Sequence, residues 1–136
     1  MIVLPPDIAS DIVTHARVDA PIEACGLLAG ADGVVKRAYR LTNCDASPEH
    51  FSLDPREQFA AAKEMRAAGL ELLAVYHSHP ASPARMSDED LRLALAPGMR
   101  YVIVSLVNAE QPEIKSFTIG DGIPLEEPIA IRESFE

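Results

Sequence analysis

The spacing of apolar residues along the chain predicts three helices. The first is expected over Pro6–Arg17, where apolar residues recur on one face and Pro is tolerated in the first turn. The second should begin at Asp54-Pro55, an N-cap residue followed by Pro, and end at Gly69. The third should open at Ser87 and end at Pro97.

Short runs of apolar and β-branched residues predict the strands between these helices. A buried strand is expected over Ala24–Ala29, and Gly33 marks a turn into Val34–Leu41, which would complete a hairpin. Asn43–His50 has the composition of a loop. The remaining extended segments are Phe51–Leu53, Leu70–Tyr76, Tyr101–Leu106, Ile114–Ile119 and a short strand near Ile129. Helices interleaved with strands and hairpins predict an α/β fold, a mixed and mainly antiparallel sheet flanked by helices.

Length, composition and charge exclude several classes of protein. The 136 residues suit a single domain, and their 48% apolar and 24% charged content is near the average for soluble globular domains. Twelve basic residues against 21 acidic ones give a net charge of −9, which argues against nucleic acid as a partner. No apolar run is long enough for a membrane span, and Met1–Asp7 lacks the features of a signal peptide, so we expect a cytoplasmic protein.

The two cysteines do not indicate redox or metal chemistry. Cys25 and Cys44 form neither a CxxC pair nor a disulfide framework. In a reducing compartment we expect both to be small buried hydrophobic side chains. The sequence assigns no role to either of them.

The most informative pattern is a histidine pair followed by a distant carboxylate. His77-Ser78-His79-Pro80 precedes Ser87 and Asp90 in the arrangement H-x-H-P-x6-S-x-x-D. Two imidazoles and one carboxylate are the ligand set of a catalytic zinc, which keeps a fourth position for water. Histidines two apart in a strand lie on one face with Cα atoms about 6.5 Å apart, within reach of one ion. We expect Pro80 to end the strand and expose the pair at its edge, although two ordinary polar residues are the alternative.

The second half of this pattern also has a purely structural interpretation. Ser-x-x-Asp before an apolar run is typical of a helix N-terminus, where Asp90 would accept a hydrogen bond from the Ser87 backbone N–H. Glu or Gln is the usual partner at that position, and Asp is one methylene shorter. The two interpretations are compatible, because a serine hydroxyl can cap a helix and donate its hydrogen to a reacting oxygen.

A hydrolytic zinc site also needs a general base. Two neutral histidines and one carboxylate leave Zn²⁺ with a net charge of about +1, which favours the ionisation of water. His15 and His50 are candidates by residue type, although one is expected on a helix and the other in a loop. Glu23 opens an apolar strand, a costly position for a carboxylate unless it has a charged partner. The alternative is an ordinary surface glutamate at the start of a strand.

Taken together, these residues resemble the JAMM (MPN+) metallopeptidases, in particular the short bacterial members. Glu23, His77–Pro80, Ser87 and Asp90 occupy every position of that family's core pattern. The resemblance covers nearly the whole chain and implies a single JAMM/MPN+ domain over residues 1–136, with a fold like that of cytidine deaminases. The other similar segments are Pro21–Gly30, Phe51–Pro55 and Tyr101–Leu106.

The resemblance implies a role for each residue of the pattern. His77, His79 and Asp90 would bind one Zn²⁺ per chain. Glu23 would deprotonate the attacking water and pass the proton to the leaving amine, and Ser87 would steady the tetrahedral oxyanion. Hydrolysis would then proceed without a covalent acyl-enzyme.

A substrate class follows from the same resemblance. Members of the family typically cut an amide or isopeptide bond after the Gly-Gly tail of a ubiquitin-like protein. Short bacterial members resemble enzymes that act on sulfur-carrier proteins of the ThiS/MoaD type, some of which release a C-terminal cysteine or another amino acid. The absence of long insertions favours this carrier-protein interpretation, with the tail bound as an added strand in a narrow groove. The carrier, the residue released and the oligomeric state, a homodimer included, are left open.

Two other functions are compatible with the family. One is a non-catalytic MPN scaffold, although such relatives usually lack the ligands that this chain keeps. The other is a peptidase for a different peptide, such as a peptidoglycan or phage-tail substrate, for which the sequence offers no export signal. A site of two histidines and one carboxylate can also bind iron or another metal.

Overall fold

The fold is a single sheet with helices on both faces. A computed structural model describes residues 1–93 and 98–134, without the side chains of residues 92 and 93. The strands are β1 (Ile2–Leu4), β2 (Cys25–Ala31), β3 (Val34–Leu41), β4 (Glu71–His79), β5 (Arg100–Ser105), β6 (Glu113–Gly120), β7 (Ile123–Glu127) and β8 (Ile129–Ile131). The helices are α1 (Pro6–Asp19), α2 (Pro55–Ala67) and α3 (Asp88–Leu93). In the part of the chain described, none of these helices is long and apolar enough to cross a membrane.

The mixed sheet predicted from the sequence is confirmed. Its strand order is β7-β6-β5-β4-β2-β3-β1-β8, with four antiparallel and three parallel pairs among the described residues. The predicted hairpin is the antiparallel pair β2–β3. β1 and β7 were not predicted, because β1 has three residues before Pro5-Pro6 and β7 contains Pro124 and two acidic residues. The predicted helix end at Pro97 lies outside the described residues.

β4 divides the core into two layers because its side chains alternate between the two faces of the sheet. Ala74 and Tyr76 pack with Ile12 of α1 on one face. Val75 packs on the opposite face, where α2 contributes Met65. His77 and His79 are two and four positions after Val75 in the same strand, so their side chains also lie on the α2 face.

The ends of α2 agree with the prediction and fix the loop that precedes it. The Asp54 side chain accepts hydrogen bonds from the backbone N–H groups of Arg56 and Glu57 at 2.8 and 3.4 Å. Gly69 follows the helix with a φ of +72°, a conformation that costs glycine little. The segment from residue 42 to residue 54 is therefore anchored between β3 and a capped helix.

The expectation for the cysteines is wrong for one of them. Cys25 is buried in β2, whereas Cys44 is exposed. In the turn that holds Cys44, the inward position is taken by the neighbouring Asn43, whose amide forms the buried hydrogen bonds of that turn. The next side chain consequently faces solvent.

Candidate metal centre and catalytic site

Both histidines of the pattern lie on the α2 face of β4, as their spacing predicted. The strand continues through His79 and ends before Pro80. The expected exposure of the pair is wrong, since His77 is 1% and His79 3% exposed. The loop before α2 covers them, and the ring of Phe51 stacks on that of His77 with centroids 4.7 Å apart.

Ser87 and Asp90 form the reciprocal cap that their spacing indicated. The Asp90 N–H donates to Ser87 Oγ, and the Ser87 N–H donates to Asp90 Oδ2, both at 3.0 Å. The shorter aspartate side chain therefore reaches the N-cap backbone. This cap begins α3 and turns the Asp90 carboxylate, which is 6% exposed, toward the histidine pair.

The three candidate ligands converge on one point. His77 Nε2 lies 3.2 Å from Asp90 Oδ1, and His79 Nε2 lies 3.0 Å from Asp90 Oδ2. The two Nε2 atoms are 3.2 Å apart, and a ligand atom from each residue lies within 4.8 Å of the others. Across residues 1–93 and 98–134, this is the one group of three His, Cys, Asp or Glu side chains with such a geometry.

This donor set fits a metal ion. The Pro83 carbonyl can only accept, so Nδ1 of His79, 2.9 Å away, carries a hydrogen. Nε2 of a neutral His79 then presents a lone pair to the Asp90 carboxylate, and two acceptors 3.0 Å apart need a proton or a metal cation between them. Nδ1 of His77 is buried and has no hydrogen-bond partner among the described residues. Two imidazole nitrogens and a carboxylate oxygen are donors that suit zinc.

The electrostatics of the three groups agree with this interpretation. Burial opposes ionisation of Asp90, but hydrogen bonds with His77 and His79 outweigh it and hold the pKa of Asp90 well below its usual range. Burial lowers the pKa of His77. Burial alone would lower the pKa of His79 too, but its hydrogen bonds with Asp90 and Pro83 raise it. Without a metal, these interactions favour a proton between His79 and Asp90, in the place that a cation would take.

Glu23 is buried beside this cluster. Its side chain is 2% exposed, and its Oε1 has no hydrogen-bond partner among the described residues. Burial raises the pKa of Glu23 to about 8, the charge of His79 lowers it, and the Asp90 carboxylate raises it further. A carboxyl group whose surroundings raise its pKa toward neutral pH is typical of a general acid–base.

Three residues to which the sequence assigned no role hold the backbone of Glu23 and Ala24 in place. Asn43 Nδ2 donates to the Glu23 carbonyl at 3.0 Å, and the Glu23 N–H donates to the Ser47 carbonyl at 2.9 Å. Ser78 Oγ accepts the N–H of Ala24 at 2.8 Å. The signals in the sequence were weak: a polar residue between two histidines in an apolar strand, and an asparagine that opens a loop.

The other two histidines do not reach the cluster. His15 lies on the α1 face, where its Nδ1 is 2.7 Å from the Tyr76 hydroxyl and its Nε2 is 3.1 Å from Asp19. His50 pairs with Asp45 at 2.8 Å near the surface. Of the candidates for a general base, Glu23 alone lies next to the candidate metal ligands.

A cleft of about 600 Å³ gives access to the site. Glu23, His79 and Ser87 line it together, and the loop before α2 contributes Pro48 and Glu49 to its rim. Three residues of the sequence pattern, from two distant segments of the chain, therefore meet at one opening. A candidate general base, a candidate metal ligand and a candidate hydroxyl donor around one cleft are the parts that a hydrolytic site needs.

Residues 5–120 match the family described as prokaryotic homologs of the JAB domain. The chain belongs to this family, within the JAMM/MPN class. It is 37% identical over 137 residues to the CysO-cysteine peptidase of Mycobacterium tuberculosis, covering 99% of this chain and 94% of that protein. It is 36% identical over 109 residues to the desampylase of Haloferax volcanii, covering 75% of this chain and 78% of that protein.

Solved structures extend the comparison to the fold. The solution structure of DSY2949 from Desulfitobacterium hafniense has a TM-score of 0.91 and 48% identity, covering 100% of this chain and 96% of that one. AF2198, a JAB1/MPN domain protein from Archaeoglobus fulgidus, has a TM-score of 0.65 and 22% identity, covering 98% of this chain and 100% of that one. The latter is similar in fold alone. The family, the relatives named as peptidases and the clustered site residues together support a hydrolase with a metal site.

Proposed function

We propose that this chain is a zinc-dependent peptidase that hydrolyses the bond after the C-terminal Gly-Gly of a ubiquitin-like or sulfur-carrier protein. The observation that carries the proposal is the cluster of His77, His79 and Asp90 beside a buried Glu23 whose Oε1 has no partner among the described residues. The substrate class is taken from the relatives named for CysO-cysteine and from the resemblance of the motif to peptidases of carrier proteins.

His77, His79 and Asp90 would hold the zinc ion. When bound there, zinc would polarise the scissile carbonyl and lower the pKa of the attacking water. The hydrogen bond from His79 Nδ1 to the Pro83 carbonyl holds the imidazole with Nε2 facing the site. Ser87 holds the third ligand, because its backbone N–H donates to Asp90 Oδ2.

Glu23 would act as base and then as acid. Its Oε1, which has no partner in the part of the chain described, would accept a hydrogen bond from the attacking water and take its proton. The carboxyl then donates that proton to the nitrogen of the leaving amine. Asn43 and Ser47 keep the carboxylate in position, because they bind the backbone carbonyl and the backbone N–H of Glu23, on either side of its Cα.

Ser87 would stabilise the oxyanion that develops on the scissile carbonyl. Its Oγ accepts the Asp90 N–H as a helix cap, so the hydroxyl hydrogen remains available and the oxygen is fixed in place. Ser87 lines the same cleft as Glu23. A preorganised donor of this kind contributes on the order of 10²–10³ to turnover.

The test is mass-spectrometric detection of cleavage. A sulfur-carrier protein of the ThiS/MoaD type that ends in Gly-Gly, extended by one alanine, is incubated with the zinc-loaded protein and with protein treated with a chelator. We expect loss of the alanine only with zinc, and at least a 10²-fold lower rate in Glu23→Gln. Glu71→Gln, an exposed carboxylate at the far end of β4, is the matched control and should cleave normally. Unchanged cleavage by the chelated protein or by Glu23→Gln would refute the proposal.

A further inference from the structure

A second cavity adjoins the catalytic cleft. It has a volume of about 460 Å³ and is lined by Pro83, Arg85 and Met86 in addition to residues of the cleft. The two openings share His79, Ser82, Ser87 and Asp88. A peptide bond placed against His79 and Ser87 would thus border both cavities.

The charges of the two cavities differ. The cleft is lined by four carboxylates, Glu23, Glu49, Asp88 and Glu89. In the part of the chain described, Arg85 is the one lysine or arginine that lines either cavity. Arg85 is therefore the lining residue of these two cavities that can attract an anionic group of a substrate.

The guanidinium of Arg85 has no partner among the residues that the structure describes. Three other arginines, Arg37, Arg40 and Arg100, each pair with a carboxylate. Within residues 1–93 and 98–134, by contrast, no carboxylate or carbonyl pairs with the Arg85 side chain, although Asp88 lines the same cavity. Its backbone is held by a hydrogen bond of 2.9 Å from its N–H to the Pro83 carbonyl. The side chain therefore presents free donors from a backbone that is fixed beside His79.

We propose that Arg85 binds the α-carboxylate of the residue that is released, so that the site favours a carrier extended by a single amino acid. This inference rests on the proposed function and names the leaving group. The α-carboxylate of a one-residue extension is two bonds from the scissile nitrogen, whereas the amine of a lysine isopeptide carries no carboxylate nearby. A guanidinium recognises a carboxylate with two parallel hydrogen bonds, which gives both affinity and orientation.

The reaction is a balanced hydrolysis. Water adds its oxygen to the Gly carbonyl carbon, the C–N bond to the terminal residue breaks, and a proton transfers to the amine. The products are the carrier with a Gly carboxylate and a free amino acid whose carboxylate stays paired with Arg85. The Arg85 cavity would hold the released residue, and the larger cleft would hold the Gly-Gly tail.

The experiment compares three conjugates of one carrier that ends in Gly-Gly. The first carries an added alanine with a free carboxylate, the second carries alanine amide, and the third is joined through an isopeptide bond to a lysine side chain. All are tested with the zinc-loaded wild type, Arg85→Gln and Arg85→Lys. Arg132→Gln, which removes an exposed arginine at the end of β8, is the matched control for the loss of one charge.

We expect the wild type to hydrolyse the free acid with a kcat/KM roughly 10- to 100-fold above that of the amide. Arg85→Gln should lose this preference through a higher KM for the acid, with hydrolysis of the amide unchanged. Arg85→Lys should retain part of it, and Arg132→Gln all of it. Equal hydrolysis of acid and amide by the wild type, or an equal loss on both in Arg85→Gln, would overturn the inference alone. If the wild type cleaves no conjugate, the proposed function fails and this inference with it.

Discussion

Asn43 Nδ2 donates a hydrogen bond of 3.0 Å to the backbone carbonyl of Glu23, twenty residues earlier in the chain. The same amide nitrogen donates to the His50 carbonyl at 3.0 Å, and its Oδ1 accepts the N–H groups of Asp45 and Ser52 at 3.0 and 3.2 Å. One buried side chain thereby joins the proposed general base to the loop that covers the candidate metal ligands. Few of its hydrogen-bonding positions remain unused.

Replacement of Asn43 by alanine should consequently affect both stability and turnover. We expect a loss of about 1–3 kcal/mol in the free energy of unfolding, because several buried groups lose their partner. We expect kcat to fall more than KM changes, since Glu23 loses its support. Urea denaturation and steady-state kinetics measure the two effects. Asn108→Ala, at an exposed turn, is the control, and an equally small effect in both variants would contradict this role.

Ser87→Ala tests the helix cap and the proposed oxyanion donor separately, through stability and through turnover. Loss of the cap should cost about 1 kcal/mol in the free energy of unfolding. Loss of the hydroxyl hydrogen should lower kcat on the order of 10²–10³-fold, far more than that loss of stability explains. Ser87→Thr keeps the hydroxyl and should retain most of the turnover. A variant that loses stability but keeps its kcat would leave Ser87 with a capping role alone.

Glu23 gives the metal-free protein a defined dependence on pH. The unfolded chain ionises this carboxyl above its ordinary pKa of 4.5, whereas burial raises the pKa to about 8 in the folded protein. The folded state then binds more protons between these values, so its stability falls as the pH rises from about 4.5 to about 8.

Glu23→Gln removes the ionisable carboxyl and, with it, this dependence of stability on pH. In chelated protein, the variant's melting temperature should exceed that of the wild type by an amount that grows from pH 5 to pH 8. Thermal melts at four pH values in this range measure the difference. Glu71→Gln, which removes an exposed carboxylate, should show no such trend. A difference that stays constant or shrinks with pH would mean that the Glu23 carboxyl is not held neutral in the fold.

Zinc should stabilise the folded protein through the same three ligands. At a free concentration 1,000 times Kd, a ligand that binds only the folded state adds about 4 kcal/mol to the free energy of unfolding. Asp90→Asn keeps an oxygen that can accept the Ser87 N–H but removes the charge, so we expect most of this gain to vanish. Asp88→Asn alters a neighbouring exposed carboxylate on the same helix and should keep the gain. Equal zinc-induced shifts in the melting temperatures of the two variants would argue against Asp90 as a ligand.

The sequence predicted those parts of the site that depend on local spacing. The two-residue period of a strand places His77 and His79 on one face, and the Ser-x-x-Asp pattern predicts the cap at Ser87. The positions of Glu23 and Asn43 depend on contacts between distant segments, which no local pattern contains. The burial of the histidines was missed for the same reason, because the covering residue Phe51 lies on another segment.

The strands β1 and β7, which the sequence did not predict, also depend on contacts between distant segments. β1 is a strand because it pairs with both β3 and β8 in parallel, although its three residues have no periodicity to detect. β7 forms at an edge of the sheet, where a proline is tolerated because one side of the strand has no partner among the described strands. In both cases tertiary pairing rather than local preference determines the structure.

The most direct test of the metal-dependent mechanism is a zinc titration of metal-free protein while hydrolysis of the alanine-extended carrier is followed by mass spectrometry. We predict no cleavage without metal, a linear rise in rate with added zinc, and a plateau at one equivalent per chain. His79→Ala should show no plateau at that ratio, because it lacks one of the three ligands. Full activity in the metal-free protein, or a rate that does not respond to zinc, would contradict the account.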